Sequence, residues 1–382
     1  MKASSLRNRS FNRILLIKPS AVGDVIHALP VLAKLRARYP AARIDWVLTP
    51  AIAELVGHHP AVSNVVPFDR GAFARGWRHW SSGVRCLLGN LWRTRYDLVI
   101  DLHGQFRSAV LTLAARAPVR IGFDRPHAGP RADSDRRLVP NAYRHGWTGA
   151  REGAWLAYTH CITLPRSDIH AVDRYLLLAP MLGLDEGPPD FQVPLPPHST
   201  ERVTSLLSEH HLHGQPLAVL VPGTIWPTKH WHVEGFAAVA RHLRSRGRAV
   251  VLAGSVSERQ RCQAVAKLAP GVLDLSGQTT LSELAALIRR AELCVTNDSG
   301  SMHLTVALGR PVVSVFGPTD ALWIGPYGQP ESVVQANVSC APCYFRQMRA
   351  CPHNHACMNE VTAGMVIERI ERVLAGTRRI SA

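Results

Sequence analysis

The segment VTNDSGSMHL, from Val295 to Leu304, combines residue types that suit a phosphate site. An apolar run ends at Thr296, and small polar residues then open a helix-like stretch: Asp298, Ser299, Gly300 and Ser301. Backbone N–H groups at a helix start attract anions and glycine allows close approach, so this turn suits a diphosphate. His303 would lie in the first helical turn and can donate to phosphate. Helix capping by Asp298 or Ser299 is the structural alternative.

Three further loops of the C-terminal half follow strand-like runs in the same way. Lys229 lies in VPGTIWPTKHW, where its ammonium group can neutralise a leaving diphosphate; a solvated surface lysine is the alternative. Glu258 opens the helix after AGSVS and can either bind ribose hydroxyls or complement the helix dipole. Thr279 precedes Thr280 and Glu283, whose spacing predicts a capping box. We expect all three loops at one edge of a sheet.

The N-terminal half places a lone carboxylate at another strand-to-helix turn. In IKPSAVGDVIHALP (Ile17–Pro30), Asp24 follows a glycine directly and precedes an apolar, helix-like segment. Acidic residues are scarce in this half of the chain, so this position calls for an explanation. Capping of the following helix is the structural one.

A second polar group follows the strand-like run YDLVI. Within DLHGQFRSAV it comprises Asp101, His103, Gln105 and Arg107. The next segment, RIGFDRPHAGPRADSDRR, adds arginines: Arg120, Arg125, Arg131, Arg136 and Arg137. Guanidinium groups bind phosphate and carboxylate through paired hydrogen bonds, which predicts an acidic ligand. Asp133 and Asp135 lie among these arginines, and we interpret them as salt-bridge or turn residues.

The distribution of charge also indicates an acidic partner. The formal net charge is +16 over 382 residues, and residues 1–150 hold 23 Lys and Arg against 9 Asp and Glu. Nucleic acid, anionic lipid and a phosphorylated substrate all fit such an excess. Nucleic acid is the weakest fit, because only Trp77 and Trp80 could stack on bases within the basic run. No apolar run is long enough to span a membrane, and the basic N-terminus lacks the apolar segment of a secretory signal.

Strand-like and helix-like runs alternate in two series. NRILLIK, RIDWVL, YDLVIDL and VRIGF belong to the first, and PLAVLVPG, RAVVLAG, GVLDLSG, ELCVTND and RPVVSVFG to the second. This pattern predicts two doubly wound parallel α/β domains. The proline-rich stretch between them predicts domains at 11–184 and 200–382 with a linker at 185–199. Neither GxxxxGK[ST] nor GxGxxG occurs, so the common nucleotide fingerprints are absent.

Four cysteines cluster near the C-terminus in CAPCYFRQMRACPHNHACMN: Cys340, Cys343, Cys351 and Cys357. A CxxC pair followed by two more cysteines predicts a structural zinc site or packed thiols. Disulfides are disfavoured in a cytosolic protein.

These segments together resemble the family 9 glycosyltransferases, the ADP-heptose:lipopolysaccharide heptosyltransferases. The resemblance extends from about Arg13 to Leu374 and rests on IKPSAVGDVIHALP, DLHGQFRSAV with RIGFDR, HAVDRY, TKHW, and NDSGSMHL followed by GRPVVSVFGPTD. It implies the GT-B fold, in which two Rossmann-like doubly wound domains face each other across a cleft. The N-terminal domain would bind the acceptor and the C-terminal domain the nucleotide sugar, with the last helix able to pack back on the N-terminal domain.

The resemblance also implies roles for individual residues. Asp24 would be the general base of an inverting, metal-independent transfer, and Lys229 would stabilise the leaving diphosphate. The donor would contact Thr224, Lys229, Glu258, Thr279, Asp298, Ser299, Gly300 and His303. The acceptor would contact Ser20, Asp101, His103, Gln105, Arg107, Arg120 and Arg125. No cofactor and no catalytic metal are expected.

The KHW and HAVDRY segments are similar to family members of the first type, which add heptose to Kdo–lipid A. The sequence thus predicts an enzyme that moves heptose from ADP-heptose to this lipopolysaccharide core and has no nucleic-acid partner. We expect it in the cytoplasm, peripheral to the inner membrane, with its basic half on anionic lipid. The alternatives are transfer to a heptose acceptor, transfer of another sugar to a different surface glycan, and a basic module without enzymatic activity that binds anionic membrane or nucleic acid.

Overall fold

The computed structural model describes residues 6–69, 71, 82–126, 149–165 and 169–380. These residues form two compact units, the first extending to Pro194 and the second beginning at Leu195. This division falls within the segment 185–199. Several residues discussed above lie outside the described ones: Trp77, Trp80, Arg131, Asp133, Asp135, Arg136 and Arg137.

The first unit contains a six-stranded parallel sheet in the order β3-β2-β1-β4-β5-β6. Its strands are β1 (Arg13–Ile17), β2 (Arg43–Leu48), β3 (Asn64–Pro67), β4 (Leu98–Asp101), β5 (Val119–Phe123) and β6 (His160–Ile162). Its helices are α1 (Val22–Arg38), α2 (Pro50–Val56), α3 (Ser82–Thr94), α4 (Phe106–Ala114), α5 (Ala171–Leu176) and α6 (Ala179–Leu182), and a 3₁₀ turn covers Ala154–Ala157.

The second unit repeats this plan with the order β12-β11-β10-β7-β8-β9, again all parallel. Its strands are β7 (Leu217–Val221), β8 (Ala249–Leu252), β9 (Leu273–Asp274), β10 (Leu293–Asn297), β11 (Val312–Phe316) and β12 (Val333–Gln335). Its helices are α7 (Pro197–Glu209), α8 (Val233–Ser245), α9 (Arg259–Leu268), α10 (Leu281–Arg290), α11 (Gly300–Ala307), α12 (Ala321–Ile324), α13 (Ala356–Asn359) and α14 (Ala363–Ile380). Four 3₁₀ turns cover Pro227–Lys229, Val256–Glu258, Pro330–Ser332 and Met348–Ala350.

The central strands form because their sequences are apolar throughout rather than alternating. All five residues of β7 (LAVLV) are buried, as are the last four of β1 (RILLI). Strands that are apolar on both sides are buried on both faces, which is the environment of a parallel sheet. Cores such as that around Trp231, Phe236 and Leu243 then fill the space between the second sheet and its helices.

The strand order places one switch point in each sheet. In the first sheet the order reverses between β1 and β4, and in the second between β7 and β10. Loops that leave the carboxyl ends of strands on either side of a switch point diverge, and ligands of doubly wound folds bind there. The loops after β1 and β4, and those after β7 and β10, are the ones in which the sequence places Asp24, His103, Lys229 and Asp298.

The last helix packs on the second sheet. Val366, Ile370 and Leu374 recur at a spacing of four residues on one side of α14 and join the core of the second unit. Its predicted contact with the N-terminal domain stays a prediction. Among the residues that the structure describes, no helix is both long and apolar enough to cross a membrane.

Candidate functional site

In the second unit, a buried ion pair joins the loops after β7 and β10. Lys229 Nζ lies 2.5 Å from Asp298 Oδ2, with 12% and 3% of the two side chains exposed. The Thr319 hydroxyl donates to the same carboxylate oxygen at 2.5 Å. The Thr224 hydroxyl donates to the main-chain oxygen of Asp298 at 3.3 Å. The structure therefore brings together three predicted donor-binding residues: Thr224, Lys229 and Asp298.

Three hydroxyl groups cluster at the start of α11. Thr296 Oγ1 lies 3.0 Å from both Ser299 Oγ and Ser301 Oγ, and the two serine oxygens lie 2.7 Å apart. Ser299 is the residue before the helix and Gly300 is its first residue, as the sequence predicts. His303 is buried in the first turns of the same helix. The turn thus combines a helix start, hydroxyl groups and a glycine, which suits an anionic ligand.

Three residues without a predicted role lie at these loops: Asn297, Trp226 and Arg346. The Asn297 side chain donates to the main-chain oxygen of Pro222 at 2.7 Å and accepts from the N–H of Trp231 at 3.1 Å. The ring of Trp226 makes cation–π contacts with two side chains. Lys229 Nζ and the Arg346 guanidinium carbon each lie 4.5 Å from the ring centroid. Asn297 adjoins Asp298 in NDSG, so the motif could have indicated it; Arg346 has no such signal.

Glu258 forms a capping box at the start of its own helical segment and also lies beside the loop after β7. Its carboxylate accepts from the Ser255 N–H at 2.7 Å and the Ser255 hydroxyl at 2.8 Å, as in a capping box. A methyl group added at Gly223 would lie 2.3 Å from the Glu258 carboxyl carbon. Glu258 therefore packs against the backbone that leads to Thr224, and both predicted roles stay compatible with its position.

Thr279 lies in a loop joined to the one before Glu258. The Gly277 N–H donates to the main-chain oxygen of Gly254 at 2.7 Å, which ties the loops after β9 and β8. Thr279 is half-buried and precedes Thr280, whose hydroxyl caps α10 and whose N–H donates to Glu283. The predicted capping box is present, and Thr279 stays a predicted donor contact.

In the first unit, Asp24 occupies the third position of α1 rather than the cap position. Its carboxylate reaches back to accept from the N–H of Ala21 at 3.2 Å. The Lys18 ammonium group lies 3.5 Å from the same oxygen, and 31% of the Asp24 side chain is exposed. Lys18 is buried beneath the ring of Tyr175, with Nζ 5.3 Å from the ring centroid. Asp24 thus supports its helix, and nearly a third of its side chain is exposed.

Asp24 faces a pocket in the first unit. Its lining includes two predicted site residues, His103 and Gln105, and four without a predicted role: Lys18, Arg151, Arg174 and Tyr175. Lys18 lies in IKPS and Arg174 and Tyr175 in HAVDRY, so these motifs could have indicated them. Arg151 stands in no such motif. Ser20 is buried between Lys18 and Asp24 in the chain.

The charges in this pocket are set by burial and by Asp24. Burial lowers the pKa of Lys18, but the nearby Asp24 carboxylate and Tyr175 outweigh it and the net shift is upward, so Lys18 stays protonated. Burial, followed by the Lys18 charge, lowers the pKa of His103 to about 3. At neutral pH the pocket therefore holds the Lys18 ammonium group, the Asp24 carboxylate and an uncharged imidazole, together with the guanidinium groups of Arg151 and Arg174.

The sequence comparisons agree with this arrangement. Residues 84–140 and 136–353 match the family described as Glycosyltransferase family 9 (heptosyltransferase). The chain is 32% identical to lipopolysaccharide heptosyltransferase 1 of Pseudomonas aeruginosa over 338 residues, which span 87% of this chain and 86% of that protein. The chain belongs to glycosyltransferase family 9.

Solved structures extend the likeness of this glycosyltransferase to the fold. Escherichia coli heptosyltransferase WaaC, in one structure with ADP and in another with ADP-2-deoxy-2-fluoro heptose, aligns with TM-scores of 0.70 and 0.68. In both cases the identity is 27%, and the alignment covers 94% of this chain and 99% of WaaC. The predicted family, the GT-B fold and the glycosyltransferase class are confirmed. The alternative hypothesis of a basic module without enzymatic activity is not favoured.

Two residues predicted to contact the acceptor, Asp101 and Arg120, form hydrogen bonds within the first unit of the glycosyltransferase. Asp101 is fully buried and accepts from the N–H groups of His103 and Gly104 at 2.8 and 3.1 Å and from the Tyr158 hydroxyl at 2.8 Å. Arg120 lies near the amino end of β5 and donates to the main-chain oxygens of residues 157 and 117. Asp101 therefore shapes the loop that carries His103, and Arg120 stabilises backbone away from it.

The remaining predicted arginines lie at the carboxyl edge of the first sheet. Arg107 is the second residue of α4, and its charge contributes to the lowered pKa of His103. Arg125 is exposed two residues after β5. Both stay predicted acceptor contacts.

The cysteine cluster does not form a metal site in this glycosyltransferase. Cys340, Cys343, Cys351 and Cys357 are all free thiols, and Cys343 and Cys357 are buried. Across the described residues, which include all four cysteines, no group of three or more His, Cys, Asp or Glu side chains could hold a metal ion. The geometry therefore gives no support to the predicted zinc and agrees with packed thiols.

The lowered pKa of His103 predicts how stability depends on pH. Because the value near 3 lies below the ordinary 6.5, the unfolded chain binds more protons between these limits. This contribution to the free energy of unfolding is complete above pH 6.5 and is lost as the pH falls. At pH 5 we expect the wild type to have lost about 2 kcal/mol through this group. The free energy of unfolding can be measured with urea at pH 7 and at pH 5. It should decrease less from pH 7 to pH 5 in His103→Gln than in the wild type.

The exposed His198 provides the control. His198→Gln should show the same difference between pH 7 and pH 5 as the wild type. Equal pH dependence in all three proteins would show that His103 is not held neutral by its surroundings.

Proposed function

We propose that this glycosyltransferase moves heptose from ADP-heptose to a Kdo residue of the lipopolysaccharide inner core, with inversion at the anomeric carbon. The observation that carries the proposal is the part-exposed carboxylate of Asp24, held 3.5 Å from the buried Lys18 ammonium group in a pocket of its own. Family membership supports heptose as the sugar. The likeness to a heptosyltransferase of the first type supports the Kdo acceptor over a heptose acceptor. Neither transfer of another sugar nor nucleic-acid binding gains support from a specific feature.

The second unit would bind the donor. Backbone N–H groups at the start of α11 and the hydroxyls of Ser299 and Ser301 would hold the diphosphate, with Lys229 contributing a positive charge. His303 would add a further contact, while Glu258 and Thr279 would lie near the ribose. Asp298 would orient the Lys229 ammonium group, which it contacts at 2.5 Å.

Asp24 would act as the general base. As the acceptor hydroxyl oxygen forms its bond to the anomeric carbon, the bond from that carbon to the diphosphate oxygen breaks on the opposite face. The hydroxyl proton passes to the Asp24 carboxylate, and ADP leaves with the electron pair of the broken bond. Lys229 stabilises the negative charge that develops on the diphosphate. No residue in this scheme needs a metal ion.

Basic side chains would bind the acidic acceptor. Arg107, Arg125 and Arg151 lie in or beside the pocket of Asp24. Their guanidinium groups suit the carboxylate of Kdo and the phosphates of lipid A. Such an acceptor also accounts for the excess of Lys and Arg in residues 1–150. We place the protein in the cytoplasm at the inner face of the membrane that holds this lipid.

Asp24→Asn tests the general base. Asparagine keeps an oxygen that can accept from the Ala21 N–H but cannot take a proton, so the helix should survive while turnover falls about 10²–10⁴-fold. ADP release and product formation with Kdo–lipid A measure turnover, and calorimetry with ADP should give unchanged affinity.

Asp24→Ala serves as the paired variant, because it removes the base together with the carboxylate that accepts from the Ala21 N–H at the start of α1. It should lose about 1 kcal/mol of stability in addition to turnover. Full turnover in Asp24→Asn would refute the base and leave Asp24 as a helix-stabilising residue. Turnover of the wild type with a heptose acceptor alone would replace the proposed acceptor.

Lys18→Met tests whether the ammonium group keeps Asp24 ionised. Methionine fills a similar volume without charge, so protonation of the neighbouring carboxylate becomes easier. The acid limb of kcat/KM against pH should move to higher pH, with activity partly restored there. A uniform loss across all pH values would indicate that Lys18 only maintains the pocket structurally.

Lys229→Met tests the charge on the leaving group. We expect kcat to fall about 10²–10³-fold, because the developing negative charge loses its counter-charge and Asp298 stays buried without it. Lys267→Met is the matched control, since Lys267 is an exposed lysine of the same unit and should leave kcat unchanged. The double variant Lys229→Met/Asp298→Asn should recover donor affinity relative to Lys229→Met alone. Equal kcat in the two single variants would contradict the role of Lys229.

A further inference from the structure

One face of the first unit combines exposed apolar side chains with arginines. Among its described residues, the large apolar side chains that are most exposed are Trp92 at 57%, Phe106 at 59%, Leu113 at 54% and Leu156 at 81%. They lie on α3, on α4 and on the 3₁₀ turn Ala154–Ala157, and α4 contacts both of the other elements. The exposed apolar side chains therefore lie on elements that are joined through α4.

Local contacts show that this surface is continuous. Phe106 and Leu113 are seven residues apart on α4 and so lie on the same side of the helix. The Phe106 N–H donates to the Glu152 carboxylate at 3.1 Å, which ties this end of α4 to the turn that carries Leu156. At the other end, the Arg116 guanidinium carbon lies 5.3 Å from the ring centroid of Trp92. Trp92 is thereby linked to the residue that follows α4.

The two helices of this surface carry only positive charges, and the exposed Glu152 carboxylate lies beside the start of α4. Neither α3 (SGVRCLLGNLWRT) nor α4 (FRSAVLTLA) contains Asp or Glu, whereas α3 contributes the exposed Arg85 and Arg93. We call Arg85, Trp92, Arg93, Phe106, Leu113 and Leu156 the apolar–basic patch. Indole rings favour the interface between water and lipid, and arginine can extend its charge to headgroups while its stem covers apolar surface.

The patch adjoins the pocket of Asp24 through consecutive residues. Gln105 lines that pocket and precedes α4, and Phe106 is the first residue of the same helix. A surface that meets the membrane at Phe106 would therefore bring the pocket next to the headgroup layer. An acceptor embedded in a bilayer by its acyl chains presents its sugar at that depth.

We propose that the apolar–basic patch is the docking surface for an anionic lipid bilayer. This inference rests on the proposed function only for the nature of the acceptor; the surface and its chemistry stand on the contacts above. Trp92, Phe106, Leu113 and Leu156 enter the interfacial layer, and Arg85 and Arg93 pair with anionic headgroups. The net positive charge of the patch favours an anionic bilayer over a second copy of this basic chain, which would bring like charges together.

Co-sedimentation with vesicles tests the proposal. The wild type should bind vesicles that contain about 30% phosphatidylglycerol, bind weakly to pure phosphatidylcholine, and dissociate in about 0.5 M NaCl. Trp92→Ser/Leu113→Ser should lower the partition coefficient about tenfold or more, because two apolar side chains no longer insert. Arg85→Gln/Arg93→Gln should lower it about 25-fold on anionic vesicles, as each arginine contributes about fivefold.

Matched controls come from the second unit. Leu322→Ser alters a leucine that is 71% exposed, and Arg202→Gln/Arg290→Gln alters two exposed arginines. Both should bind vesicles as the wild type does. An equal loss of vesicle binding in the patch variants and in the controls would overturn the patch as the docking surface. A wild type that binds no vesicle would overturn it as well. Light scattering that shows a wild-type dimer abolished by Trp92→Ser/Leu113→Ser would instead identify a self-association surface.

The vesicles contain no acceptor, so their binding is independent of the proposed reaction. Transfer to a deacylated, water-soluble Kdo acceptor measures that reaction without a membrane, and the patch variants should keep the wild-type rate there. Vesicle binding without transfer would retain the patch and refute the proposed function. Transfer to the soluble acceptor without vesicle binding would retain the proposed function and refute the patch as the docking surface.

Discussion

The parallel pairing of strands that are buried on both faces is the constraint on which both sites depend. Such strands all leave the sheet at the same edge, and the chain can open only where the strand order reverses. In the first sheet this occurs between β1 and β4, and in the second between β7 and β10. The segments that follow these four strands hold Asp24, His103, Lys229 and Asp298. Hydrophobic burial of the strands thus determines where polar chemistry can be located.

At each switch point a lysine is paired with an aspartate, but the two pairs differ in access. Asp298 is 3% exposed and shares one oxygen between Lys229 and Thr319, so it fixes the position of the ammonium group. Asp24 is 31% exposed, and there the lysine is the buried partner. Desolvation of a charge costs several kcal/mol unless an opposite charge accompanies it, so the more deeply buried member of each pair, Lys18 or Asp298, depends on its partner. In the transfer that we propose, Lys229 of the second unit would then meet the leaving diphosphate and Asp24 of the first the hydroxyl nucleophile.

Features encoded by contiguous residues could be predicted from the sequence. The apolar runs indicated both sheets, and the start of α11 was evident in NDSGSMHL because strand end, glycine and helix start are adjacent. Lys18, Arg151 and Tyr175 were missed because they converge from β1, the loop before β6 and α5. Arg120 and Asp101 have suitable side chains, but their positions along and across strands turn them toward backbone partners. Residue type indicated the chemistry; which side chains reach the pocket depended on strand register and on contacts distant in sequence.

Helix α4 connects the chemistry of the pocket to the surface of the unit. Its first turn must follow the loop shaped by Asp101, which accepts from the N–H groups of His103 and Gly104. Gln105 is then held at the pocket, and the next residue, Phe106, is directed outward with 59% of its side chain exposed. Since a helix is rigid over nine residues, the orientation of Leu113 at its far end follows from the same buried carboxylate. The buried carboxylate of Asp101 thereby helps to position both the His103 loop at the pocket and the apolar face that we assign to the membrane.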